Sequence, residues 1–228
     1  MTAQLGTAVW PQLYHAAPRP LLAVPVGSCE QHGPHLPLDT DTRIAIALAE
    51  GLCGAFEPGE VVLAPPLAIS ASGEHASFPG TLSLGNDVFE QVLVELVRSA
   101  DWSSGVVFVN GHAGNVVASR RAVRTLESES RRVLSWFPHL PGSDAHAGDT
   151  ETSLMLALAP QLVDMEAAEA GRTEPIAALI DELREGGVRA VSPNGVLGDP
   201  RRATAQRGKQ LLSRLTIDLI SAVDEWWT

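Results

Sequence analysis

Short apolar runs alternate with longer amphipathic segments along the chain, and this alternation predicts its secondary structure. A continuous apolar run bounded by turn residues is typical of a buried strand. Pro65 and Pro66 interrupt the second run, so we expect that strand to end or bulge there. The predicted strands span Leu21–Gly27, Val61–Ile69, Gly105–Gly111 and Arg131–Phe137.

Amphipathic segments with apolar residues at helical spacing separate the strands and continue to the C terminus. Strand-helix alternation of this kind is typical of an α/β fold, in which a mostly parallel sheet carries helices on both faces. Ligands of such sheets bind beyond the carboxyl ends of the strands. The predicted helices span Thr42–Phe56, Asn86–Trp102, Asn115–Ser130, Thr150–Leu158, Pro175–Gly187 and Thr204–Trp227.

For the second predicted helix, Asn86–Trp102, the sequence also predicts a buried face and an N-terminal cap. Val88, Val92 and Leu96 recur at helical spacing and predict the apolar stripe of this helix. Asn86 or Asp87 is the expected cap, because both side chains accept hydrogen bonds from free N–H groups at a helix start.

Composition and charge narrow the classes of function. A chain of 228 residues that is 45% hydrophobic and 19% charged fits one globular domain over residues 1–228. The net charge of -11 disfavours a nucleic-acid partner. No apolar run reaches membrane-spanning length, and no signal peptide is recognisable. Cys29 and Cys53 form no CxxC motif, so we expect a cytoplasmic protein without a membrane partner.

Polar side chains cluster where three of the predicted strands end. Because the carboxyl ends of parallel strands meet at one edge of a sheet, we expect these side chains to converge. Glutamate, aspartate and histidine together suit borderline divalent ions such as Zn²⁺, Mn²⁺ and Fe²⁺. No nucleophile elbow, HExxH helix or phosphate-binding loop competes with a metal site. The residues are Glu30, His32 and Asp41 after the first strand, Asn110 and His112 after the third, and His146 and Glu151 beyond the fourth.

Each of these residues also has an ordinary structural interpretation. Asp39 and Asp41 fit turn and N-cap positions, and His35, Glu74 and His75 fit buried hydrogen-bonding roles. The combination of three strand ends, each with histidine or a carboxylate, is what favours a metal site.

Five stretches of the chain carry a resemblance to a known family. The stretches "PVGSCEQHGPHLPLDTDT", "SGEHASFPGTLSLG", "VFVNGHAGN", "HAGDTETS" and "SPNGVLGDPRRATAQRG" resemble the creatininase family of metal-dependent amidohydrolases, over Leu21–Leu212. Within the family, "PLDTDTRIA", "SGEHASFPGT" and "AVSPNGVLGDP" resemble a peptidase branch. That branch trims a modified, ribosomally made precursor peptide near its C terminus and releases a Val-Tyr-derived core.

The resemblance implies a three-layer α/β/α sandwich, a homo-oligomer and two divalent metal ions in each subunit. Iron(II) or zinc(II) is the expected metal, with manganese(II) as the third choice. Matched position by position, Glu30 and His112 would bind one ion, His32 would bind the other, and Asp41 would bridge both.

One ligand of the creatinine-degrading branch is missing from this chain. That branch has a glutamate two residues after the histidine of its "NGH" motif, where this chain has Gly114. Glu151 is the expected replacement, and Asp149 is the second choice. The difference casts doubt on creatinine as the substrate.

The resemblance also implies a reaction, the hydrolysis of an amide bond by a metal-activated water. His146 is the expected acid that protonates the leaving nitrogen. One alternative is another hydrolase of the family that acts on a cyclic amide or a formamide, such as a creatinine amidohydrolase or a pyrimidine-pathway deformylase. The other is a non-catalytic metal-binding scaffold. The residues expected to contact substrate or orient ligands are His35, Ser72, Glu74, His75, Asn110 and Asn115.

Overall fold

A computed structural model describes residues 3–227 and shows a five-stranded sheet between two layers of helices. The strand order is β1-β3-β2-β4-β5, and every neighbouring pair of these strands is parallel. The expected α/β/α sandwich is confirmed. The strands are β1 (Ala3–Gln4), β2 (Leu21–Val26), β3 (Val61–Leu63), β4 (Gly105–Asn110) and β5 (Val133–Trp136).

All four predicted strands and all six predicted helices are present; the second strand ends six residues earlier than its predicted limit, and the other ends shift by at most four residues. The second strand stops two residues before Pro65, as a residue without a backbone N–H requires. β1 and the first helix are too short to show a periodicity and were not predicted. The helices are α1 (Trp10–Tyr14), α2 (Thr40–Ala55), α3 (Gly85–Ser99), α4 (Val116–Ser128), α5 (Asp149–Leu158), α6 (Ile176–Val191) and α7 (Ala205–Trp227).

The central strand β2 is buried on both faces, and its side chains alternate between two cores. Leu22, Val24 and Val26 pack with the core under α3 and α4. Leu21 and Ala23 pack with the core under α2, α5 and α7. Burying one large aliphatic side chain contributes about 1.5–3 kcal/mol. A slip of one residue would exchange the two sets, so the register of β2 is strongly specified.

The buried apolar stripe of α3 lies one residue later in the sequence than predicted. Phe89, Leu93 and Val97 are buried in the core, whereas Val88 remains 54% exposed. Apolar residues stand at both sets of positions, and the larger Phe89 takes the buried one. The helix begins at Gly85, and neither expected cap residue makes a capping hydrogen bond.

The C-terminal helix α7 packs along the sheet. Its last turn contacts the core, because Trp227 lies 5.7 Å from the ring of Phe56 and the Arg132 guanidinium lies 5.3 Å above Trp226. The two partly buried tryptophans therefore pack against the core, and homo-oligomerisation stays a prediction. Over residues 3–227, no helix combines the length and apolarity needed to cross a membrane.

Candidate metal centre

A cavity of about 890 Å³ lies at the carboxyl ends of the parallel strands. The loops after β3, β4 and β5 contribute to it, and so do the N-terminal turns of α2 and α5. Its polar side is lined by Asp41, His75, His112, His146 and Glu151. The three strand-end clusters therefore converge at one edge of the sheet, as the topology predicts.

Glu30 lies beneath this cavity with no exposed surface, and neither carboxylate oxygen has a hydrogen-bond partner. Its Oε1 atom lies 3.2 Å from His112 Nδ1, 3.3 Å from His75 Nε2 and 3.9 Å from His146 Nδ1, without an aligned N–H. A buried carboxylate without hydrogen bonds is costly unless a cation compensates it. The surroundings of Glu30 therefore fit a bound metal ion.

Asp41 stands at the centre of the cluster, in the first turn of α2, where free N–H groups favour a carboxylate. Oδ1 lies 3.0 Å from His32 Nε2, and Oδ2 lies 3.2 Å from His112 Nδ1. Ser28 Oγ donates a hydrogen bond of 2.8 Å to Oδ2. Each carboxylate oxygen therefore faces a different histidine, which is the arrangement that a bridging ligand needs.

Among residues 3–227, three groups of side chains could hold a metal ion, and in each the ligand atoms lie within 4.8 Å of one another. Two of the groups share Asp41, and they contain the residues expected for the two ions. Carboxylate and imidazole ligands in these proportions suit borderline divalent ions. The groups are Glu30, Asp41 and His112; His32, Asp41 and Glu151; and Glu30, His32 and His146.

Three histidines in the cluster share one hydrogen-bonding pattern. One ring nitrogen of each donates to a main-chain oxygen, and the other nitrogen faces the carboxylates. Second-layer bonds of this kind fix the tautomer of a ligand histidine. The donating pairs are His32 Nδ1 to Glu30 O (3.1 Å), His112 Nε2 to Ala71 O (3.0 Å) and His146 Nε2 to Gln31 O (2.8 Å).

The charges of the cluster shift several protonation equilibria. Burial disfavours the charged form of His32, yet Asp41, Glu151 and Glu30 together outweigh burial and raise its pKa to about 10. The pKa of His112 is raised well above its ordinary value against the same opposing effect of burial. Burial raises the pKa of Glu151 to about 7, because His32 offsets only part of the effect. Without a metal, the cluster therefore retains protons.

His75 and Glu74 lie beside the cluster on the short turn Gly73–His75. Burial lowers the pKa of His75 to about 3, so its ring is neutral. Its Nε2 atom faces Glu30, and its Nδ1 atom lies 2.8 Å from the amide of Gln31. Glu74 Oε1 lies 3.4 Å from His112 Nε2, on the side of that ring opposite to the cluster.

Four other residues expected near substrate or ligands lie behind the cavity and are not among its lining residues. His35 Nε2 forms a hydrogen bond of 2.8 Å with Thr152 in α5, beside Glu151 in sequence. Asn115 joins the loop after β4 to the main chain of the loops after β2 and β3. Asn110 joins the ends of β4 and β5. Ser72 is fully buried, and its hydroxyl has no hydrogen-bond partner.

Gly114 has no room for a side chain. A Cβ atom at this position would lie 2.2 Å from Glu74 Oε1 and 2.2 Å from His112 Nε2. The space that a glutamate would need here is therefore already taken by neighbouring side chains.

The two candidate replacements for the missing ligand point in different directions. Glu151 Oε2 lies 4.0 Å from His32 Nε2 and 4.0 Å from His146 Nδ1, so it faces the cluster. Asp149 instead forms an ion pair with Arg207 of α7. The geometry favours Glu151, which belongs to one of the three metal-ligating groups.

Gln31 is the functional residue that the sequence reasoning missed. In an extended segment it points away from Glu30 and His32, so the alternation assigned it no role. In the structure its amide nevertheless reaches both His75 and His146. Its position between two expected ligands was the only signal in the sequence.

Comparisons with known proteins find relatives over nearly the whole chain. A creatininase family model, described as creatinine amidohydrolase, matches residues 7–223. A mycofactocin precursor peptide peptidase of Mycolicibacterium smegmatis is 48% identical over 97% of this chain and 91% of its own length. One from Mycobacterium ulcerans is 46% identical over 98% of this chain and 91% of its own length.

Solved structures show the same fold. A tryptophan-to-alanine mutant creatininase superposes with a TM-score of 0.81 at 23% identity, covering 100% of this chain and 99% of that one. A structure described as a manganese creatininase has a TM-score of 0.79 at 23% identity, covering 99% of each chain. With a family model that matches nearly all of its length, this chain belongs to the creatininase family.

Proposed function

We propose that this protein is a metal-dependent peptidase that cleaves the modified mycofactocin precursor peptide near its C terminus and releases the Val-Tyr-derived core. The observation that carries the proposal is the carboxylate of Asp41, shared by two metal-ligating groups beside a cavity of about 890 Å³. A cavity of that size has room for several residues of a peptide. The two relatives of nearly the same length and almost half identical sequence are named as peptidases for this precursor.

Two divalent ions fit the cluster. Glu30, Asp41 and His112 would hold one ion, and His32, Asp41 and Glu151 would hold the other. When bound, such ions polarise the scissile carbonyl and acidify a water molecule. Three carboxylates bring three negative charges to this site, which offsets most of the charge of two divalent ions. Iron(II) or zinc(II) is our expectation for the metal, and manganese(II) also suits these ligands.

His146 is the group that moves the proton. Its Nε2–H is held by a main-chain oxygen, so only Nδ1 is available to the reacting atoms. Burial lowers the pKa of His146 well below its ordinary value, so the ring is neutral and Nδ1 carries a lone pair. Nδ1 of His146 lies 3.9 Å from Glu30 and 4.0 Å from Glu151. The two expected ligand histidines lie closer to a carboxylate, because His32 is 3.0 Å and His112 is 3.2 Å from Asp41. It takes a proton from the attacking water and returns it to the leaving nitrogen.

An apolar wall faces the polar side of the cavity. It consists of Val117 in α4, Phe137 after β5, and Ile176, Ile180 and Leu183 in α6. Val117 and Ile176 are 47% and 45% exposed, so part of this wall is open to solvent and accessible to a ligand. This wall suits the branched and aromatic groups of a Val-Tyr-derived core.

The test is cleavage of the modified precursor peptide by metal-loaded protein, followed by mass spectrometry. We expect cleavage near the C terminus, and Asp41→Asn should lose it together with the bound metal. Asp39→Asn is the matched control, because the side chain of Asp39 pairs with Arg43 at the surface of the same helix turn. A protein with verified metal content that leaves the peptide uncut would overturn the proposal. Turnover of creatinine or of a formamide instead would favour the alternative hydrolases.

A further inference from the structure

Gln31 is a buried amide, 6% exposed, whose orientation is fixed by two glycines. Its Oε1 atom accepts a hydrogen bond of 2.8 Å from the N–H of Gly33. Its Nε2 atom donates one of 3.1 Å to the carbonyl of Gly195. A main-chain N–H can only donate and a carbonyl can only accept, so the amide has one possible orientation.

The amide nitrogen of Gln31 has two hydrogens to donate, but three possible acceptor atoms lie around it. Nε2 of Gln31 carries two hydrogens, and the carbonyl of Gly195 takes one of them. His75 Nδ1 lies 2.8 Å away and takes the second. His146 Nε2, at 3.1 Å, is left without one. It therefore carries its own hydrogen, which it donates to the main-chain oxygen of Gln31 at 2.8 Å.

We propose that Gln31 is a positioning residue that sets the tautomers of His75 and His146. With its Nδ1 accepting, His75 has its hydrogen on Nε2, which lies 3.3 Å from Glu30 Oε1. With its Nε2 donating, His146 presents the lone pair of Nδ1 to Glu30 and Glu151. One side chain and its own main-chain oxygen thus decide which nitrogen of each ring faces the cluster.

The opposite tautomers would not serve the cluster. A lone pair of His75 facing Glu30 would add repulsion to a carboxylate that already has no aligned donor. A hydrogen on Nδ1 of His146 would prevent that atom from accepting a proton. This second consequence rests on the proposed function, whereas the tautomers themselves do not.

The motif "SPNGVLGDP" gains a role from this arrangement. Gly195 has a φ of +80°, a conformation that favours glycine. A Cβ atom at Gly195 would lie 1.8 Å from Oε1 of Gln31, so the turn packs directly on the amide. The turn therefore delivers the carbonyl that orients Gln31, although it lies far from the cluster in sequence.

Zinc-loaded protein labelled with ¹⁵N-histidine provides the test, by long-range ¹H–¹⁵N NMR correlation. The wild type should show hydrogen on Nε2 and not on Nδ1 in both His75 and His146. Gln31→Glu keeps the shape but has no amide hydrogens, so His75 should move its hydrogen to Nδ1. The kcat of this variant should fall by about 10–100-fold with KM nearly unchanged, as for other residues that orient ligands.

Gln91→Glu is the matched control, because Gln91 is exposed on α3 and the substitution adds the same charge. It should leave the NMR pattern and kcat unchanged. A wild-type spectrum with hydrogen on Nδ1 of either ring would overturn the inference, and so would an unchanged His75 signal in Gln31→Glu. If the wild type does not cut the peptide, the proposed function fails while the spectra still decide the role of Gln31.

Discussion

Glu151→Gln is the substitution that most directly tests how the metal centre is completed. The carboxylate of Glu151 lies 4.0 Å from His32 Nε2, across the group that would hold one ion. A unit charge at about 4 Å interacts with another by about 4 kcal/mol at an effective dielectric constant of 20. Each 1.4 kcal/mol is about tenfold in affinity, and a divalent ion carries two charges, so removal of this carboxylate should weaken one metal site by about a thousandfold or more.

The measurement is metal content at a fixed free zinc concentration, with binding followed by calorimetry. Wild-type protein should hold two ions per subunit, and Glu151→Gln should hold one. Asp149→Asn is the matched control, because it removes an equal charge from the same helix turn but from a side chain paired with Arg207. This control should keep both ions.

Two outcomes would refute the reasoning. Glu151→Gln with two ions and unchanged affinity would show that another group completes the second site. Loss of an ion in Asp149→Asn, with Glu151→Gln intact, would assign the role to Asp149 and would mean that its pairing with Arg207 breaks on metal binding.

Three further predictions concern protons, space and substrate. The pKa of His32 is about 10 and that of His112 is also raised, so binding of both metals near neutral pH should release about two protons per subunit. Metal affinity should therefore weaken as the pH falls. Calorimetry in two buffers measures the proton release, and its absence would contradict the prediction. Gly114→Ala should cost about 1–3 kcal/mol in the free energy of unfolding, measured with urea, because its Cβ would collide with Glu74 and His112; unchanged stability would contradict the clash. Ile180→Asp should raise KM for the modified peptide by about tenfold or more at unchanged metal content; an unchanged KM would remove the apolar wall from substrate binding.

The sequence predicted most of the fold because the long elements repeat their pattern over several turns or strands. Ile44, Leu48 and Leu52 are buried as the spacing requires. In α3 apolar residues occupy two adjacent stripes, and only packing against the sheet decides that Phe89 enters the core while Val88 stays exposed. A periodicity cannot choose between two stripes that are equally apolar.

The sheet topology was enough to predict which strand ends contribute to the candidate site. Parallel strand ends meet at one edge, which is enough to bring Glu30, His112 and Glu151 together. The orientation of a loop side chain follows from individual hydrogen bonds that no spacing rule encodes. Gln31 was missed for this reason, because its amide is aimed by the distant turn at Gly195.

Packing around Gly114 gives a physical reason why this position carries no ligand side chain and why Glu151 is the expected ligand instead. The space above Gly114 is filled by Glu74, which belongs to the same short turn as His75. His75 is in turn held by the amide of Gln31, and the main-chain oxygen of Gln31 holds His146, so the turn cannot retreat without disturbing Gln31. A side chain at position 114 would also meet the ring of His112 and the main-chain oxygen of Ala71, neither of which can swing aside as the Glu74 carboxylate can. A carboxylate from the first turn of α5 avoids the conflict, because Glu151 approaches the cluster from another element and is held there by the N–H of Ala147 at 2.6 Å.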